Sequence, residues 1–187
     1  MLPSATLRVL SRLLLLPAAV CGCSYPRSLV PDQSGLLPIT HRRYAGQTVV
    51  RLYAAPIPVI ARLAIHTWIV IRRRGAVSRW EVWQRAGGRY GHVRRNLRPP
   101  EAGVGAGAVH VLAELTGLAA ERVADRIERW SPRYRCRHDY RYFPGPNSNT
   151  YVRWVLAISG WQAQLPVTAI GASVYRHCLA PRRDTMR

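Results

Sequence analysis

Three side chains in this sequence are of the types that a hydrolase combines as nucleophile, base and orienting group: Ser148, His66 and Glu81. Ser148 stands at an expected helix start, where free backbone N–H groups and the helix dipole favour developing negative charge. A serine hydroxyl becomes a useful nucleophile when a neighbouring base takes its proton. These residues therefore suggest the placement of a nucleophile, with a histidine base and an orienting carboxylate elsewhere in the chain.

The segment around Ser148 predicts a rigid turn that leads into a helix. Pro144 and Pro146 each fix a φ angle, and the residues from Asn147 to Thr150 are types that cap helix starts. The apolar residues that follow, up to Ile158, predict the body of the helix. A plain N-cap explains the same residues without any chemistry, so both interpretations stay open.

A β-hairpin is expected to position the base. The run from His66 to Ile71 is β-branched and aromatic, and the run from Arg79 to Trp83 returns after a turn near Gly75. With that turn, side-chain alternation places Glu81 diagonally beside His66, where a carboxylate fixes the imidazole tautomer. Strand histidines are usually structural, so the catalytic role is one of two alternatives.

The rest of the chain predicts a single α+β domain, in which an antiparallel sheet packs against two helices. Strands are expected from Val49 to Tyr53 and from Val109 to Leu115. The periodic run from Gly117 to Trp130 predicts an amphipathic helix. Three residues are expected on its buried face: Val123, Ile127 and Trp130.

Four other features are assigned from composition. Residues 87–98 predict a basic loop without a phosphate-binding glycine pattern, and residues 165–171 a closing loop. The alternation of aromatic and basic residues from Tyr134 to Tyr142 is interpreted as a half-buried strand beside the site, rather than a surface for nucleic acid. Cys136 and Cys178 either pair or remain as free buried thiols.

The charge of the chain predicts attraction to anionic surfaces. The formal net charge is +19, and all 28 basic residues are arginines. Histidines and cysteines show no metal-ligand spacing, so neither a metal site nor a cofactor is predicted. Charge alone leaves nucleic acid, anionic lipid and envelope polymers as partners, and the compartment must decide among them.

The N-terminus predicts export. Arg8 and Arg12 precede a short apolar run that ends in small residues and is too short to span a membrane. The junction Gly22-Cys23 resembles the bacterial lipobox, in which the cysteine is lipidated after cleavage. Ordinary signal-peptidase cleavage nearby is the alternative. Four segments follow: a lipoprotein signal peptide (1–23), a tether (24–48), the domain (49–175) and a basic tail (176–187).

Four stretches together resemble an uncharacterised bacterial family, domain of unknown function 3750, over about residues 49–175. They are His66-Thr67-Trp68, Trp80-Glu81-Val82, Pro144 to Thr150, and Leu165 to Gly171. A more distant similarity is to circularly permuted papain-like proteins, the group with NlpC/P60 and lecithin retinol acyltransferase-like domains. That similarity implies a permuted papain-like fold in which the side chains of His66 and Ser148 face one cleft. Ser148 stands where those enzymes carry cysteine.

These observations predict an exported, lipid-anchored envelope protein that faces the periplasm. The expected activity is that of a hydrolase or acyltransferase on amide or ester bonds, with Ser148 as nucleophile, His66 as base and Glu81 as orienter. Four residues are candidate ligand contacts: Trp68, Tyr142, Asn147 and Asn149. The alternative is a non-catalytic binder of an anionic envelope polymer or peptide in the same cleft. The membrane is the expected partner, through the anchor, and nucleic acid is not.

The lipobox interpretation predicts acylation of Cys23. In cells fed a clickable palmitate analogue, we expect Cys23→Ser to abolish labelling of the chain and Cys21→Ser to retain it. Equal labelling of wild type and Cys23→Ser would contradict the lipid anchor.

Overall fold

The computed structural model describes residues 33, 35–58, 63–84, 91–105, 107–173 and 178. The predicted signal peptide with Cys23, the first part of the tether and the predicted tail apart from Cys178 lie outside the described residues.

The domain is built on one antiparallel sheet, which confirms the α+β prediction. Its strands are β1 (Val49–Pro56), β2 (Ile65–Arg73), β3 (Ala76–Gln84), β4 (Gly91–Arg95) and β5 (His110–Thr116). The spatial order is β4-β3-β2-β1-β5, and all neighbours are antiparallel. The predicted hairpin is present, because Gly75 supplies the positive φ of the turn between β2 and β3.

Two helices cover one face of this sheet: α1 (Gly117–Trp130) and α2 (Ser148–Ser159). Alternation along β2 turns Ile65, Ile69 and Ile71 towards them, into a core shared with both helices. This helix-covered face is almost entirely apolar. Of the three residues expected on the buried face of α1, Val123 and Ile127 are buried.

The opposite face of the sheet is covered by loops instead of helices. Its apolar cluster includes Trp68 and Val70 from β2, together with Ile39, Tyr44 and Val104 from the covering segments. The described part of the predicted tether therefore packs against the sheet.

Three predicted features differ from the structure. Trp130 is expected in the core, but it is 44% exposed at the last residue of α1, where the Arg133 guanidinium lies over its ring. Within the expected basic loop, residues Gly91–Arg95 form strand β4, which pairs with β3.

The segment from Tyr134 to Tyr142 is not a strand but a succession of turns. It pairs with none of the five described strands. Its alternation arises because Tyr134 is buried against Tyr151 and Trp154 of α2, while the arginines between the tyrosines stay exposed.

A disulfide ties this segment to the C-terminal part of the chain. Cys136 and Cys178 are bonded, with their Cα atoms 5.8 Å apart. Of the two alternatives for these cysteines, the paired one is present. A cross-link of this kind stabilises a small domain by about 2–4 kcal/mol.

The start of α2 is held by Asn147. Its Oδ1 accepts from the backbone N–H groups of Asn149 and Thr150, and its own N–H donates to Thr150 Oγ1. Its Nδ2 donates to the carbonyls of Tyr142, at 3.2 Å, and Ile170, at 3.0 Å. Asn147 thus joins the helix start to the proline turn and the closing loop.

This double role predicts a graded loss of stability. We expect Asn147→Ala to lower the free energy of unfolding by about 2–3 kcal/mol, because a cap and two buried hydrogen bonds are lost. Asn147→Ser keeps an uncharged oxygen as cap acceptor but loses the loop contacts, and it should lose roughly half as much. Urea unfolding followed by circular dichroism measures both. Equal losses in the two variants would contradict the separate contribution of the cap, and an unchanged second variant would contradict that of the loop contacts.

Candidate functional site

The face of the sheet opposite the helices carries the candidate base. Thr67 points towards α2 and donates to Asn149 Oδ1 at 2.8 Å. Its neighbours His66 and Trp68 therefore point the other way, and their rings lie 5.9 Å apart. On β3, alternation directs Arg79, Glu81 and Trp83 to this same face, since Trp80 and Val82 join the helix-side core.

His66 and Glu81 are in direct contact, as the hairpin predicts. Their Nε2 and Oε2 atoms are 2.8 Å apart, and both side chains are buried. The contact follows from the register. Ile69 pairs with Trp80, so Trp68 lies opposite Glu81 and His66 lies diagonally beside Glu81 on the same face. The edge of the His66 ring also packs on Trp83, with centroids 4.7 Å apart.

Arg79 completes this cluster. Its guanidinium donates to Glu81 Oε2 at 2.8 Å and lies over the Trp68 ring at 4.3 Å. It also donates to the carbonyls of Pro99 and Ala102 in the loop that covers this face. The sequence interpretation gave Arg79 no role, although strand alternation already places it on the face of Glu81.

The cluster sets the protonation state of its members. Burial alone would raise the pKa of Glu81, but hydrogen bonds from His66 and Arg79 outweigh burial and hold it below its ordinary value. Burial lowers the pKa of His66, and the charges of Arg79 and Arg98 act in the same direction against the opposing effect of Glu81. At neutral pH, Glu81 is ionised and His66 is neutral.

This state determines the histidine tautomer. An ionised carboxylate only accepts hydrogen bonds, so Nε2 of His66 carries the proton and donates it to Glu81. Nδ1 is left as an acceptor, and no other described residue hydrogen-bonds to it. The geometry is that of a base oriented by a carboxylate.

His66 forms part of the wall of a half-open cavity of about 400 Å³. Its other lining residues are Ile57, Pro58, Trp83, Gln84, Val104, Tyr140 and Tyr142. The Tyr142 hydroxyl donates to Gln84 Oε1. The Tyr140 hydroxyl has no partner among the described residues, and burial raises its pKa, so it stays a donor. The cavity thus combines apolar walls with a histidine whose Nδ1 is a free acceptor and a tyrosine, Tyr140, whose hydroxyl is a free donor.

Ser148 is not part of this arrangement. It opens α2, which packs on the other face of the sheet, and it neither lines the cavity nor hydrogen-bonds to His66. No described contact brings the side chains of His66 and Ser148 together, so the shared cleft stays a prediction. Sequence order alone does not tell which face of β2 the helix covers.

Of the four predicted ligand contacts, one lines the cavity and three do not. Tyr142 lines the cavity. Trp68 lies beneath Arg79 and donates its indole N–H to the carbonyl of Pro100, so it supports the covering loop. Asn147 caps α2, while Asn149 donates to the carbonyls of Ile65 and Ile170. These last three residues hold the fold together and do not line the cavity.

Sequence reasoning missed three of the wall residues: Ile57 and Pro58, which follow β1, and Val104, which lies in the covering loop. Tyr140 belongs to the segment expected beside the site, although this segment forms turns instead of the expected strand. No local pattern connects residues 57, 58 and 104 with His66. The described residues contain no group of three histidine, cysteine or acidic side chains that could hold a metal ion.

Comparison with known proteins identifies a family. The family model described as protein of unknown function (DUF3750) matches residues 47–174, which confirms the predicted resemblance. No curated protein and no solved structure matches the chain.

The buried base predicts acid sensitivity of the fold. Because the folded-state pKa of His66 lies below its unfolded value of about 6.5, the unfolded chain binds this proton first. We therefore expect the free energy of unfolding to fall as the pH drops below about 6.5, whereas Glu81 adds a loss only below about 4.5.

Urea unfolding between pH 7.5 and 5 measures this effect. His66→Gln should flatten the pH dependence, since glutamine does not titrate, and the exposed control His138→Gln should leave it as in wild type. A His66→Gln protein with the wild-type slope would contradict the lowered pKa.

Proposed function

The chain belongs to the DUF3750 family of proteins of unknown function, and we propose that its functional site is the cavity beside His66. There it binds an amide or ester group of a cell-envelope molecule and promotes hydrolysis or acyl transfer. One observation carries this proposal: a neutral histidine, oriented by Glu81, with a free nitrogen at the wall of the cavity.

In this proposal the side chains act on an amide or ester carbonyl. Nδ1 of His66 takes a proton from a water molecule as the water oxygen attacks the carbonyl carbon. Glu81 stabilises the resulting imidazolium, which then protonates the leaving nitrogen or oxygen. The free hydroxyl of Tyr140 is the available donor to the carbonyl oxygen as negative charge develops.

Water takes the place that the sequence assigned to Ser148. A serine nucleophile would need His66 within hydrogen-bond reach, and α2 lies against the other face of the sheet. The relation to circularly permuted papain-like proteins stays a proposal about the fold. It is supported by the order of a histidine strand followed by a helix that starts beside β2.

Non-catalytic binding is the second candidate. It is favoured by one observation: none of the described residues that line the cavity is a serine, threonine or cysteine. A donor and an acceptor between apolar walls suit the N–H and C=O of a peptide group without any reaction. The net charge of +19 favours an anionic envelope polymer or peptide as the ligand.

We place the protein at the cell envelope. The charged and apolar N-terminal residues support export, with Cys23 as the lipid attachment site. The disulfide supports the same compartment, because such bonds persist where the environment is oxidising. None of the helices among the described residues has the length and apolar character needed to cross a bilayer.

A model ester and a peptide anilide distinguish the candidates. With p-nitrophenyl acetate or an N-acetylated dipeptide p-nitroanilide, we expect turnover that His66→Gln lowers about 100-fold or more. Glu81→Gln should also lower it, since the imidazole loses its orienting carboxylate. The rate should rise with pH through the lowered pKa of His66 and level off near neutrality.

Two variants provide controls for this experiment. His138→Gln removes an exposed histidine and should keep the wild-type rate, which accounts for background catalysis by surface imidazoles. Ser148→Ala should also keep it, and a complete loss there would restore the serine as nucleophile. Tight binding of the dipeptide without turnover, weakened by His66→Gln, would identify the chain as a binder.

A further inference from the structure

One end of the molecule exposes an unusual set of apolar side chains. At this end β1 stops and β2 begins, and the chain passes from α1 to α2; we call it the loop end, formed by residues 57–58, 63–64, 130–147 and 165–171. Its exposed fractions are 68% for Leu63, 58% for Tyr142, 76% for Phe143 and 87% for Val167, and Trp130 is 44% exposed. Exposed apolar groups gathered at one place mark an interaction site.

The backbone holds these side chains on loops that are tied to one another. Ile65 donates its N–H to the carbonyl of Thr168 at 3.2 Å, which places Leu63 and Val167 on adjacent segments. Asn147 Nδ2 bridges the carbonyls of Tyr142 and Ile170, so the proline turn is fixed beside the closing loop. Hydrogen bonds therefore fix the loops of the loop end relative to one another.

The charge beside these residues is positive. Four exposed arginines lie in the turn segment that leads to Phe143: Arg133, Arg135, Arg137 and Arg141. Asp139 is the single acidic residue between positions 131 and 147. The three acids of α1, which share Arg73 as an ion-pair partner, do not offset this charge. The same helix also carries three arginines: Arg122, Arg126 and Arg129. Exposed apolar side chains that are flanked by arginines, Trp and Tyr are expected at the surface of an anionic bilayer. Trp and Tyr favour the headgroup region, and arginines are attracted to anionic headgroups.

The path of the chain agrees with such an orientation. Gln33 enters the described structure near the same end, where its side chain hydrogen-bonds to both backbone groups of Val111. Val111 pairs with Tyr53 in the half of β1 nearest the loop end. A segment of nine residues, 24–32, separates Gln33 from Cys23, which is about 30 Å when extended.

We propose that the loop end docks on an anionic lipid bilayer, with Leu63, Tyr142, Phe143 and Val167 inserted among the headgroups and the arginines against the phosphates. This contact is additional to the predicted lipid anchor and does not depend on what the cavity binds. It places the mouth of the cavity, whose rim includes Tyr142, next to the membrane.

A local probe separates this contact from any effect of the N-terminus. In the full chain with Cys21→Ser and Cys23→Ser, the environment-sensitive dye NBD is attached at Val167→Cys or at Leu118→Cys. Leu118 is a matched control, 78% exposed at the opposite end of the sheet, where β5 ends and α1 starts. The disulfide of Cys136 and Cys178 keeps those thiols from reacting.

With vesicles of phosphatidylglycerol and phosphatidylethanolamine, we expect NBD emission at position 167 to rise at least threefold and shift to the blue, with quenching by brominated lipid. The probe at position 118 should not change. Vesicles of phosphatidylcholine, or 500 mM salt, should abolish most of the signal, because the arginines supply part of the attraction. A silent probe at 167, or an equal response at 118, overturns the proposal.

Sedimentation with the same vesicles provides a second measurement. In the full chain carrying Cys21→Ser and Cys23→Ser, Phe143→Ser combined with Val167→Ser should lower vesicle partitioning at least tenfold. Leu97→Ser combined with Leu118→Ser should leave it unchanged. Thermal unfolding checks that all variants fold, as expected for exposed positions. If the Phe143 and Val167 variants instead abolish self-association and leave vesicle binding intact, the surface is a protein interface and the proposal fails.

Discussion

The structure depends on the burial of one carboxylate. Glu81 is fully buried and is compensated by Arg79 and His66. Removing one partner from such a cluster costs about 3–5 kcal/mol, since it leaves an unpaired charge in the interior. Arg79 in turn holds two carbonyls of the loop that covers this face, and this loop contributes Val104 to the cavity. The same cluster therefore orients the candidate base and holds a loop that forms part of the cavity wall.

The two faces of the sheet are stabilised in different ways. Packing of apolar side chains against α1 and α2 stabilises one face. On the other, buried Arg51 is satisfied by Glu101, Glu114 and the hydroxyls of Tyr44 and Tyr53. Charged hydrogen bonds of this kind specify the position of a covering segment, whereas apolar contacts tolerate small shifts. A polar face is thus suited to holding irregular loops around a cavity.

The residues at the start of α2 contribute to the site by placing another segment. Asn147 Nδ2 joins the helix start to the carbonyls of Tyr142 and Ile170. Gly171 lets Asn147 approach the closing loop this closely, because a Cβ at position 171 would lie 2.6 Å from Asn147 Nδ2. The proline turn is therefore held where Tyr142 reaches the cavity. The features that suggested a nucleophile at Ser148 are explained by this positioning role.

The sequence by itself determined the local arrangements. The contact between His66 and Glu81 and the cap of α2 were predictable, since each depends on one turn and on alternation or capping within a few residues. The tertiary structure alone decided which face of β2 is covered by α2, namely the face opposite the side chain of His66. It also decided that Val104 lines the cavity, because contacts between segments distant in sequence follow from how the whole chain packs and leave no local pattern.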